Sequence, residues 1–296
     1  MRRALLLALA LGLACKVNLT PAGVAQVIQG ISEARKDLTP ENEYYVGRAV
    51  ATTILARSDY RYDDADGYRR GKLGGLTAYL NAVGSVAAMA ALDIHHEDDR
   101  EAPIAGWHFI VLDDRTINAF ATPGGFVFVT RGAIAQAASE DELAAVLAHE
   151  VAHVRRGHAL GSIKKSRWAG VAKTALDTSV QLDAQALGGL TDVFEGAMDD
   201  MTDALIVKGY SRDTEFEADA VGLEIMIEAG YDPAAFVRYL KKLATHQDTG
   251  SGGFAATHPK ASDRIARLDA LVAKAPPVTI PRIRISRFHQ AVHDLE

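Results

Sequence analysis

The sequence predicts an α+β fold: a mainly helical domain with one small antiparallel sheet, packed by a central helix. Three observations lead there. Apolar residues recur at helical spacing through most of the chain, as in Leu143, Val146, Leu147, Val151 and Val154. Residues 107–112, 116–121 and 126–130 have strand composition and are joined by short polar or Gly-rich connections. The helix that follows opens at a capping box, with Ser139 and Glu142 placed to satisfy the free N–H groups of its first turn. With 296 residues and 48% hydrophobic content, the chain can bury one large core or two small ones. A formal net charge of −6 gives no reason to expect nucleic acid as a partner.

In chain order, Met1-Arg2-Arg3 ahead of an apolar run to Ala14 outlines a signal peptide over residues 1–14, too short to span a bilayer comfortably. Cys15, the only cysteine, follows directly. Its placement resembles the bacterial lipoprotein signal, in which the cysteine is lipidated, although Gly12 stands where leucine is usual. Ordinary cleavage after Ala14 is the alternative. With one cysteine the chain forms no internal disulfide, so stability rests on the core and any bound metal. The expected organisation is a signal peptide over 1–14, a folded domain over 15–275 and a tail over 276–296.

Residues 22–36 read as an amphipathic helix. Thr39 and Pro40 cap and open a second, running to about residue 57. Residues 59–71 are polar, and their Asp run lacks EF-hand spacing, so an exposed loop is favoured over a calcium site. Residues 76–92 are Ala- and Leu-rich and read as a buried helix. His95 and His96 lie in a charge cluster and face different ways, which suits a solvated turn better than a metal site.

Inside the capped helix, His149 and His153 are four apart, so both imidazoles point one way and can hold one ion. Glu150 projects from the adjacent face, within reach of a water on that ion. A further helix, capped by Ser211 and stopped at Gly230, places Glu215 and Asp219 on one face and turns Glu217 away. Phe216, Ala220, Leu223 and Ile227 are the buried stripe expected beside them. Glu215 reads as the third ligand, and Asp219 as the acceptor of a hydrogen bond from a ligand histidine. A solvated acidic helix start favoured by the dipole is the alternative. Between the two helices, residues 163–187 and 190–207 read as amphipathic helices. The stripe of Phe194, Met198, Met201 and Leu205 reads first as core and second as a lid or partner surface.

Asp232-Pro233 caps a helix to about residue 245, and residues 247–257 form a Gly- and Ser-rich loop. His258-Pro259 opens a last helix through residue 274. Residues 280–285 alternate isoleucine with arginine, as an edge strand or a basic surface segment would.

The HEVAH run at 149–153 followed by SRDTEFEAD at 211–219 resembles the gluzincin peptidases, and within them the CAAX prenyl protease family and its secreted bacterial relatives. The resemblance extends to YYVGRAV at 44–50, NAFATPGG at 118–125 and His258-Pro259, most of the chain. Metzincins are excluded, because Gly157 and His158 fall one residue off their spacing, and His158 reads as a helix-end residue favoured by the dipole.

The resemblance implies a zinc-dependent endopeptidase. One Zn²⁺ per chain is held by His149, His153 and Glu215, and Glu150 takes the proton of the attacking water. Arg264, His246 and Tyr210 are candidate donors to the developing oxyanion. An edge strand in such peptidases pairs with the substrate backbone, so Asn118, Ala119, Phe120 and Ala121, with Gly124 and Gly125 in the bend, are expected to line the cleft. A tight hairpin turn is the plainer reading of the two glycines. His258 reads either as a gate that can take the fourth position on the zinc, or as a residue that caps or packs the last helix. The expected partners are protein or peptide substrates, misfolded or stalled envelope proteins by resemblance alone, and the membrane surface through a lipid on Cys15. The expected location is the periplasm, with outer-membrane anchoring if Cys15 is lipidated. Nothing indicates a prenyl substrate, because long apolar spans like those of integral-membrane members are not evident. An envelope chaperone or assembly factor with latent or rare proteolysis is the alternative from another class.

Overall fold

The computed structural model describes residues 39–56, 74–161, 209–247 and 261–295, together with residues 202, 205 and 258 singly. The signal peptide, Cys15 and the expected features at 22–36, 59–71, 163–187 and 248–257 lie outside the described residues, as does the 190–207 helix apart from Thr202 and a buried Leu205. The chain divides into two compact units, and the described residues belong almost wholly to the one made of Pro40–Ala159 and Thr202–Glu296.

Within that unit, helix α1 (Pro40–Ala56) and helix α2 (Gly74–Asp93) precede strands β1 (His108–Leu112), β2 (Ala119–Thr122) and β3 (Phe126–Thr130). Short helix α3 (Arg131–Gln136) leads into the central helix α4 (Glu140–Arg155) and a single helical turn, α5 (His158–Gly161). Helices α6 (Arg212–Glu228), α7 (Ala234–Gln247), α8 (Ala261–Val272) and α9 (Arg282–Val292) complete the described elements. The α+β class holds, with a small sheet beside the central helix.

The sheet is mixed rather than wholly antiparallel. Its order is β1-β3-β2. β2 and β3 form the expected antiparallel hairpin around Pro123–Gly125, but β1 lies on the far side of β3 and runs parallel to it, His108 opposite Phe126 and Leu112 opposite Thr130. The reason lies in residues 113–118, which carry the chain across the end of β3. Gly132 donates its N–H to the Asp114 carbonyl, and a Cβ there would lie 2.2 Å from the Arg115 carbonyl oxygen, so only glycine lets that crossing through. The Thr130 hydroxyl fastens it, donating to the Thr116 carbonyl at 2.6 Å.

α4 is buried along its whole length, so the single apolar face read from spacing is too narrow. It packs against α2, α6, α7 and β2. Ala144, Ala145, Ala148 and Ala152 let these neighbours approach closely, and on α6 Gly222 does the same, since a Cβ there would meet the His149 backbone at 3.2 Å. The Ser139 hydroxyl accepts from Glu142 N–H at 3.2 Å, while Glu142 reaches back to Ala138 N–H rather than to Ser139.

α2 is long and apolar enough to cross a membrane by length and composition alone, a span that sequence reading did not count. Here Leu76, Leu80, Val83 and Ala87 belong to the core, while Met89 and Leu92 are exposed. The 280–285 segment is not an edge strand: from Arg282 the chain forms α9, with Ile283 and Ile285 exposed and Phe288 entering the core.

Candidate metal centre

The centre lies where α4 crosses α6. Helical spacing brings His149 and His153 together, with their Nε2 atoms 3.0 Å apart. Ser211 starts α6, its hydroxyl accepting from Thr214 N–H at 3.3 Å, and this sets Glu215 one turn in, facing both histidines. Glu215 Oε2 lies 3.5 Å from His149 Nε2, and Oε1 lies 3.4 Å from His153 Nε2. Zinc with tetrahedral bonds of about 2.0–2.1 Å separates its ligand atoms by roughly 3.3 Å. The two imidazole nitrogens, 3.0 Å apart, face different oxygens of Glu215 at 3.5 and 3.4 Å, separations close to that ligand spacing.

His258 is the fourth member of the cluster. All four ligand atoms lie within 4.8 Å of one another, and all four residues are buried. Its Nδ1 stands 2.7 Å from Glu215 Oε2. His258 stands beside the other three residues and precedes α8 rather than lying inside it.

Glu150 is fully buried beside the cluster, and neither of its carboxylate oxygens has a hydrogen-bond partner among the described residues. Glu215 Oε1 is in the same position. A buried carboxylate without a partner is costly unless a cation compensates it. That need, with the donor set of two imidazoles and a carboxylate, is what a zinc ion would meet.

Electrostatics follow from burial and contact. Burial raises the pKa of Glu150. Burial would also raise that of Glu215, but His258, His149 and His153 outweigh it and hold the carboxyl well below its usual range. The two histidines diverge. Burial and Arg264 would depress His149, yet Asp219 and Glu215 lift it to about 9. His153, desolvated and lacking such a carboxylate at its other nitrogen, is pushed well down.

Asp219 faces His149, its Oδ1 3.1 Å from His149 Nδ1. Arg264, expected as an oxyanion donor, is fully buried behind the ligands. It donates to both oxygens of Asp219 at 2.8 and 2.6 Å and approaches Glu215 at 3.4 Å. Tyr210 stacks on the His153 ring, centroids 4.3 Å apart, with its buried hydroxyl lacking a hydrogen-bond partner among the described residues. The His246 side chain lies outside the described residues, and α7 carries its backbone.

β2 is an edge strand that packs against α4, and Asn118, Ala119, Phe120 and Ala121 are all buried. The close approach permitted by the glycine bend is to the chain's own helix. A Cβ on Gly124 (φ +74°) would lie 2.8 Å from Tyr44 Cα, and one on Gly47 would lie 1.7 Å from the Pro123 carbonyl oxygen. Gly125 is closed off by Gly106 and Pro103. The YYVGRAV segment and the bend are thus two halves of one packing contact.

The α6 stripe is broader than the expected one. Leu223 is in the core and Ile227 packs against it, but Ala218, Gly222 and Met226 also pack inward, whereas Phe216 is half-buried under the Arg267 guanidinium. Sequence reading also missed His158, whose Nδ1 touches His153 Nδ1 at 2.8 Å. Its i+5 spacing gave no signal, because only the left-handed turn at Gly157 (φ +64°) folds it back.

Two imidazoles and a helix-borne glutamate converge beside a buried carboxylate that has no hydrogen-bond partner among the described residues and lies 3.9 Å from His258 Nε2, the arrangement of zinc metallopeptidases of the HExxH type. The chain belongs to Peptidase family M48, whose pattern matches residues 77–272. That family is one of metallopeptidases that use zinc. It is 35% identical over 180 residues to the mitochondrial metalloendopeptidase OMA1 of Schizosaccharomyces pombe, covering 57% of this chain and 48% of that one. It is 33% identical over 208 residues to a putative beta-barrel assembly-enhancing protease of Vibrio cholerae, covering 69% of this chain and 41% of that one. The beta-barrel assembly-enhancing protease of Escherichia coli is 27% identical over 199 residues, covering 64% of this chain and 38% of that one. The chain thus spans less than half the length of each of these relatives.

Proposed function

We propose that this chain is an endopeptidase of the cell envelope in which His149, His153 and Glu215 hold one zinc ion and Glu150 moves the proton. The carrying observation is the convergence of His149, His153 and Glu215, with the Glu150 carboxylate buried beside them and without a hydrogen bond among the described residues. Bound zinc supplies Lewis acidity, which polarises a scissile carbonyl and acidifies water.

The chain's own residues do the rest. Glu150, its pKa raised by burial, is suited to accept a proton from the attacking water and to deliver it to the leaving amine. Asp219, clamped by Arg264, fixes the His149 tautomer with the proton on Nδ1. Arg264 has its donors directed to Asp219 and Glu215, so Tyr210 is the better donor to the oxyanion. The outer edge of β2 is where a substrate backbone would add as a further strand. His258, bonded to Glu215, would act as a latent fourth ligand that must withdraw for turnover.

The substrate class and location rest on the relatives. Proteases named for β-barrel assembly and a mitochondrial endopeptidase support envelope or organelle proteins as targets. The names of the bacterial relatives favour an envelope location. The signal peptide over 1–14, the periplasmic placement and lipidation at Cys15 are proposed from the N-terminal sequence alone. A chaperone-like assembly factor with rare cleavage has one observation in its favour: the four cluster residues are all at most 3% exposed.

Casein digestion with and without chelator tests the peptidase reading. Cleavage lost on zinc removal and restored by zinc supports it, and no cleavage in either state counts against it. A Glu150→Gln variant that retains the cellular function of the wild type would favour the assembly factor.

A further inference from the structure

We propose that His158 is a positioning residue for the metal centre, holding the ligand His153 through a His153–His158–Glu217 chain. The inference rests on His153 being a ligand.

His153 directs Nε2 at His149 and Glu215, which leaves Nδ1 on the opposite edge of the ring. His158 Nδ1 meets that atom at 2.8 Å, and its Nε2 lies 3.3 Å from Glu217 Oε2. A nitrogen–nitrogen contact this short needs one proton and one lone pair. If Nε2 of His153 offers its lone pair to the metal, its proton sits on Nδ1. His158 Nδ1 must then be the acceptor, and its own proton sits on Nε2, facing Glu217. Every contact in the chain is satisfied by this one placement of protons.

The far end is anchored as well. Arg156 donates to Glu217 through Nε at 2.6 Å and to Asp99 through Nη1 at 3.1 Å. The left-handed turn at Gly157 lets α4 stop at Arg155 and return His158 to the His153 ring five residues back.

The two ligand histidines are therefore held by different devices. His149 leans directly on a carboxylate, Asp219, which Arg264 neutralises. Around His153 the centre already buries Glu150, Glu215 and Asp219. A fourth carboxylate at van der Waals distance would add another desolvation cost. An intervening neutral imidazole orients His153 without one and moves the anion outward to Glu217, whose side chain is 42% exposed.

The test is zinc affinity by chelator competition, with cobalt(II) absorption as a second readout. His158→Ala should weaken zinc binding by about 10- to 100-fold, the usual effect of losing an outer partner of a ligand. His158→Asn places an amide oxygen where Nδ1 stands and should restore affinity and the wild-type cobalt spectrum. His158→Gln places its amide at the Nε2 position, leaves His153 Nδ1–H unpaired, and should behave as His158→Ala. This difference between Asn and Gln survives even if His158→Ala fails to fold. Asn and Gln variants that are equally tight or equally weak would overturn the proposal. His153→Ala separates the two layers: if it keeps wild-type affinity, the ligand assignment fails. If it loses zinc while no His158 substitution matters, only the positioning role fails.

Discussion

The two ends of α4 bury carboxylates in opposite ways. At the N-terminal end, Glu140 accepts from Tyr79 at 2.8 Å and pairs with Arg287. Asp141 accepts from Asp232 N–H and Arg284, both at 2.8 Å, and Glu142 from Ala138 N–H and Lys242 at 2.8 and 2.7 Å. Two turns on, Glu150 is equally buried and has no hydrogen bond among the described residues. The same helix, in the same core, thus carries a hydrogen-bonded set of carboxylates and the proposed general base. Absence of a hydrogen bond, rather than burial, separates them. The first end stabilises the fold, and the second holds a costly group that the proposed chemistry requires.

Removing the reactive carboxylate breaks this comparison most sharply. Glu150→Gln should lower peptide cleavage by about 10²- to 10⁴-fold, as loss of a general base does. Its zinc content should hold and its melting temperature should not fall, since no partner is lost. A marked drop in melting temperature would place Glu150 in the structural class. At the paired end, Glu140→Ala should cost on the order of 2–3 kcal/mol in urea unfolding, with zinc affinity unaffected. The cost stays below that of a fully buried pair because Arg287 is half-exposed and can rehydrate.

Much of this arrangement was legible in the sequence because it is local. Ser139 and Ser211 mark two helix starts, and the i,i+4 pairs His149/His153 and Glu215/Asp219 give the site its faces. What was not legible depends on contacts between distant segments. The parallel pairing of β1 with β3 follows from a crossing that Gly132 permits, not from strand composition. Phe288 is the sole buried residue of α9, so the alternation of Ile283 and Ile285 with arginines looked strand-like, although both isoleucines are exposed. Arg264 read as a candidate oxyanion donor; its place behind Asp219 needs α8 laid against α6.

A smaller effect concerns pH in the metal-free protein. His149 titrates near 9 when folded, against an ordinary value of 6.5. A raised imidazole pKa stabilises the fold fully below pH 6.5, and that stability is lost as pH rises through about 9. Melting of chelator-treated protein should therefore fall across this window, and less steeply in Asp219→Asn. A flat profile would remove His149 from the charged cluster. Smallest of all, Gly222→Ala should cost about 1–2 kcal/mol by overpacking α6 on the His149 backbone, read by urea unfolding.

The central claim is that α6 completes a zinc site on α4, and zinc stoichiometry tests it most directly. Wild type, and Asp213→Ala on the exposed side of α6, should each carry about one zinc per chain, whereas Glu215→Ala should lose most of it because two protein ligands remain. Unchanged zinc in Glu215→Ala would contradict the account.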